Sequence, residues 1–542
     1  MVSVADKFNR YAAALGVGLV LAIVLFLTTS HKPVLDPKHP LCEQRPYIEP
    51  EYGHLANSSQ FVSEEYKKKS VELFAGAIRI PTMSYDDLAM DPTKDERFNV
   101  FKDMHNYLFK SFPLASKHVE TVNTYGLLYT IEGTNPSLKP VLLMAHQDVV
   151  PVNNDTIDQW TYPPFDGHFD GEFLWGRGTS DTKNSLVAQL EAIESLLSQG
   201  WVPKRTVILS FGFDEEITGF RGAYPISRLL HERYGTHGIE VIVDEGIGIV
   251  PFGGSIFASP AVTEKGRVDF KILLNTPGGH SSMPPDHTGI GIISELAFEL
   301  EANPLSPVIQ KGSVVEKFFD CMGEHAADLK DSERKKFLRS STHDKLLPIL
   351  ESDPATRFIV KTSQAIDIVQ GGVKINALPE NVELQVDHRI AVHQNLDDLR
   401  SRMNEFVKKV ATKHGLGLEF DGKTILKKTP LGSFNVSTFG GMNTAPISPY
   451  KGEVWDLLAG TTRHVIDDVI DHPYGPVFMA PSLMTANTDT AHFWDVSENI
   501  FRYLPVFMSD TNNIHTVDES LNIRSHISCV VWYYEFLVNA CN

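Results

Sequence analysis

Along much of the chain, short runs of consecutive apolar residues stop abruptly on acids or histidine. Val141–Ala145 (VLLMA) runs straight into His146, Gln147 and Asp148. Thr206–Phe213 (TVILSFGF) runs into Asp214, Glu215 and Glu216, and Ile239–Val243 (IEVIV) runs into Asp244. Apolar runs of this length without alternation predict strands buried on both faces. Between them the spacing lengthens. Ser185–Leu197 reads as a helix closed by Gly200, and Glu64–Ile80 as a helix stopped by Pro81. Strand, helix, strand, helix predicts an α/β domain: a mixed sheet flanked by helices.

The pattern changes near Val262. Gly266–Leu274 (GRVDFKILL) and Asn381–Ile390 (NVELQVDHRI) alternate polar and apolar residues, as antiparallel strands with one buried face should. Helical stretches of mixed charge lie between them. The pattern predicts an inserted α+β domain over residues 262–421, with the α/β domain split into 64–261 and 422–542. A last helix is expected near Ser525–Phe536.

The N-terminus differs from the rest. Ala12–Leu27 is continuously apolar or small, and Tyr11, Thr28 and Thr29 extend it. Lys7 and Arg10 precede the run, which predicts a single transmembrane signal anchor over 11–29 with residues 1–10 in the cytosol. No small-x-small cleavage site follows before Lys32; cleavage would instead make the protein secreted. Residues 30–63 read as a Pro-rich polar stalk. Asn57, Asn154 and Asn435 head glycosylation triplets, which fit a lumenal body.

Length and charge narrow the class. A chain of 542 residues is expected to form more than one domain. The formal net charge of -19 argues against nucleic-acid partners. Cys42, Cys321, Cys529 and Cys541 lack metal-ligand spacing and read as structural or free thiols, with room for one or two bridges.

In α/β sheets, ligands bind beyond the carboxyl ends of the strands. His146, Glu215, Glu216 and Asp244 fall there, and Asp181 of GRGTSD opens a helix where backbone N–H groups favour a carboxylate. Taken singly, each has an ordinary reading as a bonded core histidine, a solvated acidic turn or a helix cap. Together they form a ligand set for zinc, with one carboxylate left over for proton transfer. Asp148 would accept from the far nitrogen of His146 and fix its tautomer. A further histidine ligand is expected late in the chain, and spacing leaves His492 and His515 both open.

The set AHQDVVPV, GRGTSDTK, FDEEITGFRGA, VDEG, PGGHSSMPP, NALPENVELQVDHR and IHTVDE resembles the co-catalytic di-zinc metallopeptidases. That family includes glutamate carboxypeptidase and aminoacylase, and the nearest likeness is to its fungal carboxypeptidase S branch. The resemblance covers the chain from about Glu64 to its end. It implies two Zn2+ ions, one on His146 and Asp244, the other on Glu216 and His515, with Asp181 bridging. It implies Glu215 as general base and acid, and Asp148 as the residue orienting His146. The inserted domain would act as a lid, through which relatives form homodimers. His280, Asn376 and Arg389 would bind substrate or the oxyanion, with Thr488, Asp489 and Thr490 as further substrate contacts. The activity implied is cleavage of the C-terminal bond of small peptides such as Gly-X, by an enzyme with its catalytic domain in the fungal vacuole. The alternative is an N-acyl (fatty-acyl) amino-acid amidohydrolase. A non-catalytic receptor on the same fold is disfavoured because every ligand and Glu215 are present.

Overall fold

The computed structural model describes residues 40–338 and 343–542. The expected anchor at 11–29 and the tail before it lie outside the described residues. Among the described residues, no helix is long and apolar enough to cross a membrane. These residues form two compact units. The first comprises residues 40–263, Lys311–Leu346 and Pro446–Asn542, and the second comprises Glu264–Gln310 and Leu347–Ala445.

The first unit is built on a mixed 10-stranded sheet. At its centre, Val141–His146 runs parallel to both Val207–Gly212 and Val241–Phe252, and Ile500–Phe507 runs parallel to Val241–Phe252. Every residue of Val141–His146 and of Val207–Gly212 is buried, which is why these runs lack alternation. Successive side chains point to opposite faces. Leu142, Met144 and Ile208 pack against Ala223, Ile226 and Leu230 of the helix Ala223–Tyr234. The helix Lys183–Ser198 packs on Val141–His146 and on the C-terminal helix Ile523–Cys541, which also packs on Ile500–Phe507. Each large apolar side chain so buried contributes about 1.5–3 kcal/mol. Strand ends in such a sheet are held firmly.

The expected stalk differs. From Cys42 onward the segment is part of the first unit's body. Cys42 is disulfide-bonded to Cys321, while Cys529 and Cys541 are free and buried. Phe61 is fully buried, and the hydroxyls of Tyr52 and Ser58 donate to Oε1 of the buried Glu535 at 3.0 and 2.5 Å. Buried aromatic and carboxylate partners, invisible in the local composition, draw this polar segment inward.

The second unit has a six-stranded sheet in the order Ser363–Gly371, Asn381–Ile390, Gly266–Asn275, Ser433–Met442, Gly417–Phe420, Lys423–Leu426. Val268, Phe270, Ile272 and Leu274 face a core closed by the helices Gly289–Ala302 and Leu396–Lys413. Asn395 and Asp398 cap the latter reciprocally. Ser433–Met442 pairs along Gly266–Asn275, so this sheet runs past residue 421.

Candidate active site and metal centre

Central strands of the first unit's sheet end on one edge and supply most of the site. Val141–His146 ends on His146 itself, and Val207–Gly212 leads into a single helical turn carrying Glu215 and Glu216. The turn closes through Thr218 (φ 88°) and Gly219 (φ 68°). A Cβ at residue 219 would lie 2.1 Å from Oδ1 of Asp489, so only glycine fits there. Asp181 sits just before the helix Lys183–Ser198, and its peptide to Thr182 is cis. His515 lies between the short strands Thr511–Asn512 and Ser520–Asn522, with φ 64°.

These remote segments converge on Asp181. Its Oδ1 is 3.0 Å from Nε2 of His146, and its Oδ2 is 2.9 Å from Nε2 of His515. Oε2 of Glu216 is 3.5 Å from the same nitrogen of His515, and Oε2 of Glu245 is 3.4 Å from Nε2 of His146. His146, Asp181 and Glu216 offer ligand atoms within 4.8 Å of one another, as do His146, Glu215 and Glu245. Nδ1 of His146 donates to the backbone carbonyl of Asp148 at 2.9 Å, with the Asp148 carboxylate at 3.3 Å. That leaves Nε2 as the nitrogen facing the acids. The same carboxylate accepts the N–H groups of Glu215 and Glu216, both at 3.2 Å. Asp148 therefore ties the His146 ring to the Glu215–Glu216 turn.

Protons crowd this cluster. Burial opposes charge on His146, but Glu245, Asp148 and Asp181 outweigh it and raise its pKa well above 6.5. At His515 burial again opposes charge, yet hydrogen bonds to Asp181 and Glu216 push the pKa up to about 11. Burial works to raise Asp181, but the two imidazoles hold it well below the usual carboxylate range. Burial and then the charge of Glu245 push Glu215 well up, and burial and then Asp181 raise Glu216. Burial, resisted by His146 and reinforced by Asp181, takes Glu245 up to about 8. Carboxylates this close cannot all ionise without compensating charge. Divalent cations would replace the protons and meet a mixed nitrogen and oxygen donor set that suits zinc. The residues present fit such a centre.

The expected residues separate into groups. His146, Asp148, Asp181, Glu215, Glu216 and His515 come together. Asp244, like His515, is in neither of these two groups of ligand atoms, whereas the adjacent Glu245 is in the second. Here Glu245 turns toward His146 while Oδ1 of Asp244 accepts the Glu245 N–H at 2.9 Å. His492 is engaged elsewhere: its Nε2–H donates to the Thr218 carbonyl at 2.8 Å and its ring packs against Phe220. The hydroxyls of Thr488 and Thr490 are 2.7 Å apart, and Nε of the buried Arg502 donates to Thr490 at 2.9 Å. Asp489 is buried against Gly212 and Gly219; burial, then Asp214 and Asp244, raise its pKa. His280, Asn376 and Arg389 belong to the second unit. There, Gly279–His280 pairs with Ala377–Leu378 and the Ser281 N–H donates to the Asn376 carbonyl, so His280 and Asn376 lie on neighbouring backbone. Glu245 escaped the sequence reading because two adjacent acids end the run, and the strand is irregular just after them, so alternation alone does not say which one reaches His146.

Residues 142–539 match the model of peptidase family M20/M25/M40. The chain is 39% identical over 547 residues to carboxypeptidase S of Saccharomyces cerevisiae, spanning 96% of this chain and 95% of that protein. It is 32% identical over 497 residues to the N-fatty-acyl-amino acid synthase/hydrolase PM20D1 of Mus musculus, spanning 89% and 90%. Human carnosine dipeptidase 1 matches it with a TM-score of 0.60 at 14% identity, over 89% of this chain and 98% of that one, a likeness of fold alone.

Proposed function

The chain belongs to peptidase family M20/M25/M40, and from that premise we propose that it is a metallo-carboxypeptidase releasing the C-terminal residue of small peptides, Gly-X dipeptides among them. One observation carries the reading: the Asp181 carboxylate lies between Nε2 of His146 and Nε2 of His515, with Glu215 on the adjoining turn.

His146, Asp181, Glu216, His515 and an acid of the Asp244–Glu245 pair would hold two divalent cations, zinc by donor type. Bound there, the cations supply Lewis acidity to the scissile carbonyl and acidify a water. The chain's own groups do the rest. Asp181 is shared between the two imidazole sides. Asp148 fixes the His146 ring and the Glu215–Glu216 turn. Glu215, a half-buried carboxylate with a raised pKa, takes the proton of the attacking water and returns it to the departing nitrogen. His280 serves the oxyanion. Asn376 and Arg389 receive the substrate carboxylate, with Thr488, Asp489 and Thr490 as further contacts.

The purified protein should hydrolyse carbobenzoxy-Gly-Leu, lose the activity to a chelator and regain it with Zn2+. Turnover that survives complete removal of metal rejects the reading. The identity to PM20D1 supports a second one, an N-acyl amino-acid amidohydrolase. Both cleave an amide beside a carboxylate-bearing residue, and they differ in the acyl side. An N-oleoyl amino acid assayed beside carbobenzoxy-Gly-Leu decides between them.

The run Tyr11–Thr29 behind Lys7 and Arg10 supports a single-pass type II protein with a lumenal body, which we place in the fungal vacuole. The Cys42–Cys321 bridge supports an oxidising compartment, and glycosylation at Asn57, Asn154 or Asn435 would accompany it. Glycosidase treatment that leaves the protein's electrophoretic mobility unchanged counts against this placement. Exposed Val369 on the edge strand Ser363–Gly371, with Val373 and Ile375 just after it, supports a homodimer through the second unit. A monomer in sedimentation removes that element.

A further inference from the structure

We propose that Glu519 is a positioning residue for the metal centre: it clasps the Gly176–Asp181 loop to the loop carrying His515 and so sets the Asp181–His515 separation. The inference rests on the reading of Asp181 and His515 as ligands.

Glu519 stands four residues after His515 and is fully buried. Its Oε1 accepts the N–H groups of Gly178, Ser180 and Asp181 at 3.0, 2.9 and 3.3 Å. Its Oε2 accepts Nη1 of the buried Arg177 at 2.6 Å. Its backbone carbonyl accepts the Gly176 N–H at 2.9 Å, and the Ser180 hydroxyl donates to the Ser520 carbonyl at 3.2 Å. One carboxylate thus binds the backbone on which Asp181 is mounted, and does so from the segment on which His515 is mounted.

Burying a carboxylate costs several kcal/mol unless partners compensate it. Here three amides and a guanidinium do so, an arrangement that simple packing does not need. The His515 loop turns through left-handed backbone at three positions, Asn513, His515 and Asp518, with φ of 53°, 64° and 63°. Asn and Asp adopt this region readily, so His515 is the residue whose backbone needs its surroundings to hold it. Glu519 holds one end of the loop. Beside it at the same end, the Asp518 carboxylate accepts the N–H and hydroxyl of Thr161 at 2.6 and 2.8 Å. Both oxygens of Glu519 are taken up by backbone N–H groups and Arg177, so it acts through the placement of Asp181 and His515.

Three variants of the full chain test this. Glu519→Ala should lower kcat by about 10- to 100-fold with KM little changed, and should reduce bound metal from two ions per chain toward one. It should also alter the visible spectrum of the Co2+-substituted protein. Glu519→Gln keeps an oxygen for the three amides and should restore most of the kcat. Unchanged metal content, spectrum and kcat in Glu519→Ala, even with a lowered melting temperature, overturn the proposal. So does a Glu519→Gln variant as impaired as the alanine. If Glu519→Ala does not fold, Glu519→Asp decides. It keeps the charge for Arg177 but falls one methylene short of the amides, so it should lose metal, and full occupancy and kcat would overturn the proposal. A wild-type protein without metal-dependent turnover would instead defeat the underlying reading of the site.

Discussion

Oε2 of Glu245 lies 3.4 Å from Nε2 of His146, one residue beyond the aspartate that the resemblance names as ligand. Of these two adjacent acids, Glu245 is the one whose carboxylate is seen within reach of His146. Glu245→Gln should therefore lower the bound metal and the activity more than Asp244→Asn does. Elemental analysis of both purified variants checks this. Metal lost from Asp244→Asn and kept by Glu245→Gln would reverse the assignment.

Glu215 is the proposed general base. Its N–H is fixed by Asp148 at 3.2 Å, and it adjoins Glu216, whose carboxylate faces His515. Glu215→Gln should keep its metal and lose about 10²–10⁴-fold in kcat. Near-normal turnover with bound metal would remove Glu215 from that role.

Metal uptake should release protons. With pKa values raised well above 6.5 at His146, to about 11 at His515 and to about 8 at Glu245, these groups hold protons at neutral pH. A cation must displace them, so apparent affinity falls as pH falls. Zinc added to metal-free protein at neutral pH should release more than one proton per chain. Calorimetry in buffers of different ionisation enthalpy measures it, and zero release contradicts the cluster's electrostatics.

A second pH effect belongs to the second unit. Burial holds the pKa of His388 down to about 4, against an ordinary 6.5. The folded state thus prefers the neutral ring, and the sign follows. The contribution is complete above pH 6.5 and is lost as pH falls toward 4, amounting to about 3 kcal/mol across that span. His388→Phe should flatten the pH dependence of unfolding between these limits. An unchanged slope would mean that the ring is already charged in the native protein.

Much of the site can be read from strand ends. Val141–His146 and Val207–Gly212 are buried along their whole length, so the polar residues that follow them emerge at one edge of the sheet. Besides Glu245, three things escape that reading, each for a physical reason. His492 and His515 differ only through partners: Thr218 and Phe220 occupy the first, Asp181 and Glu216 the second. Glu519 looks like a solvated acid in IHTVDE until Arg177 and the 178–181 backbone enclose it. Ser433–Met442 (SFNVSTFGGM) is too polar to stand out as a strand and gains its place by pairing with Gly266–Asn275.

Anomalous diffraction at the zinc edge, from crystals of the protein, tests the central claim most directly. Two peaks are predicted, each at about 2.0–2.2 Å from an Asp181 carboxylate oxygen, one of them also ligated by His146 and the other by His515. A single peak, or peaks that leave Asp181 uncoordinated, would contradict the account.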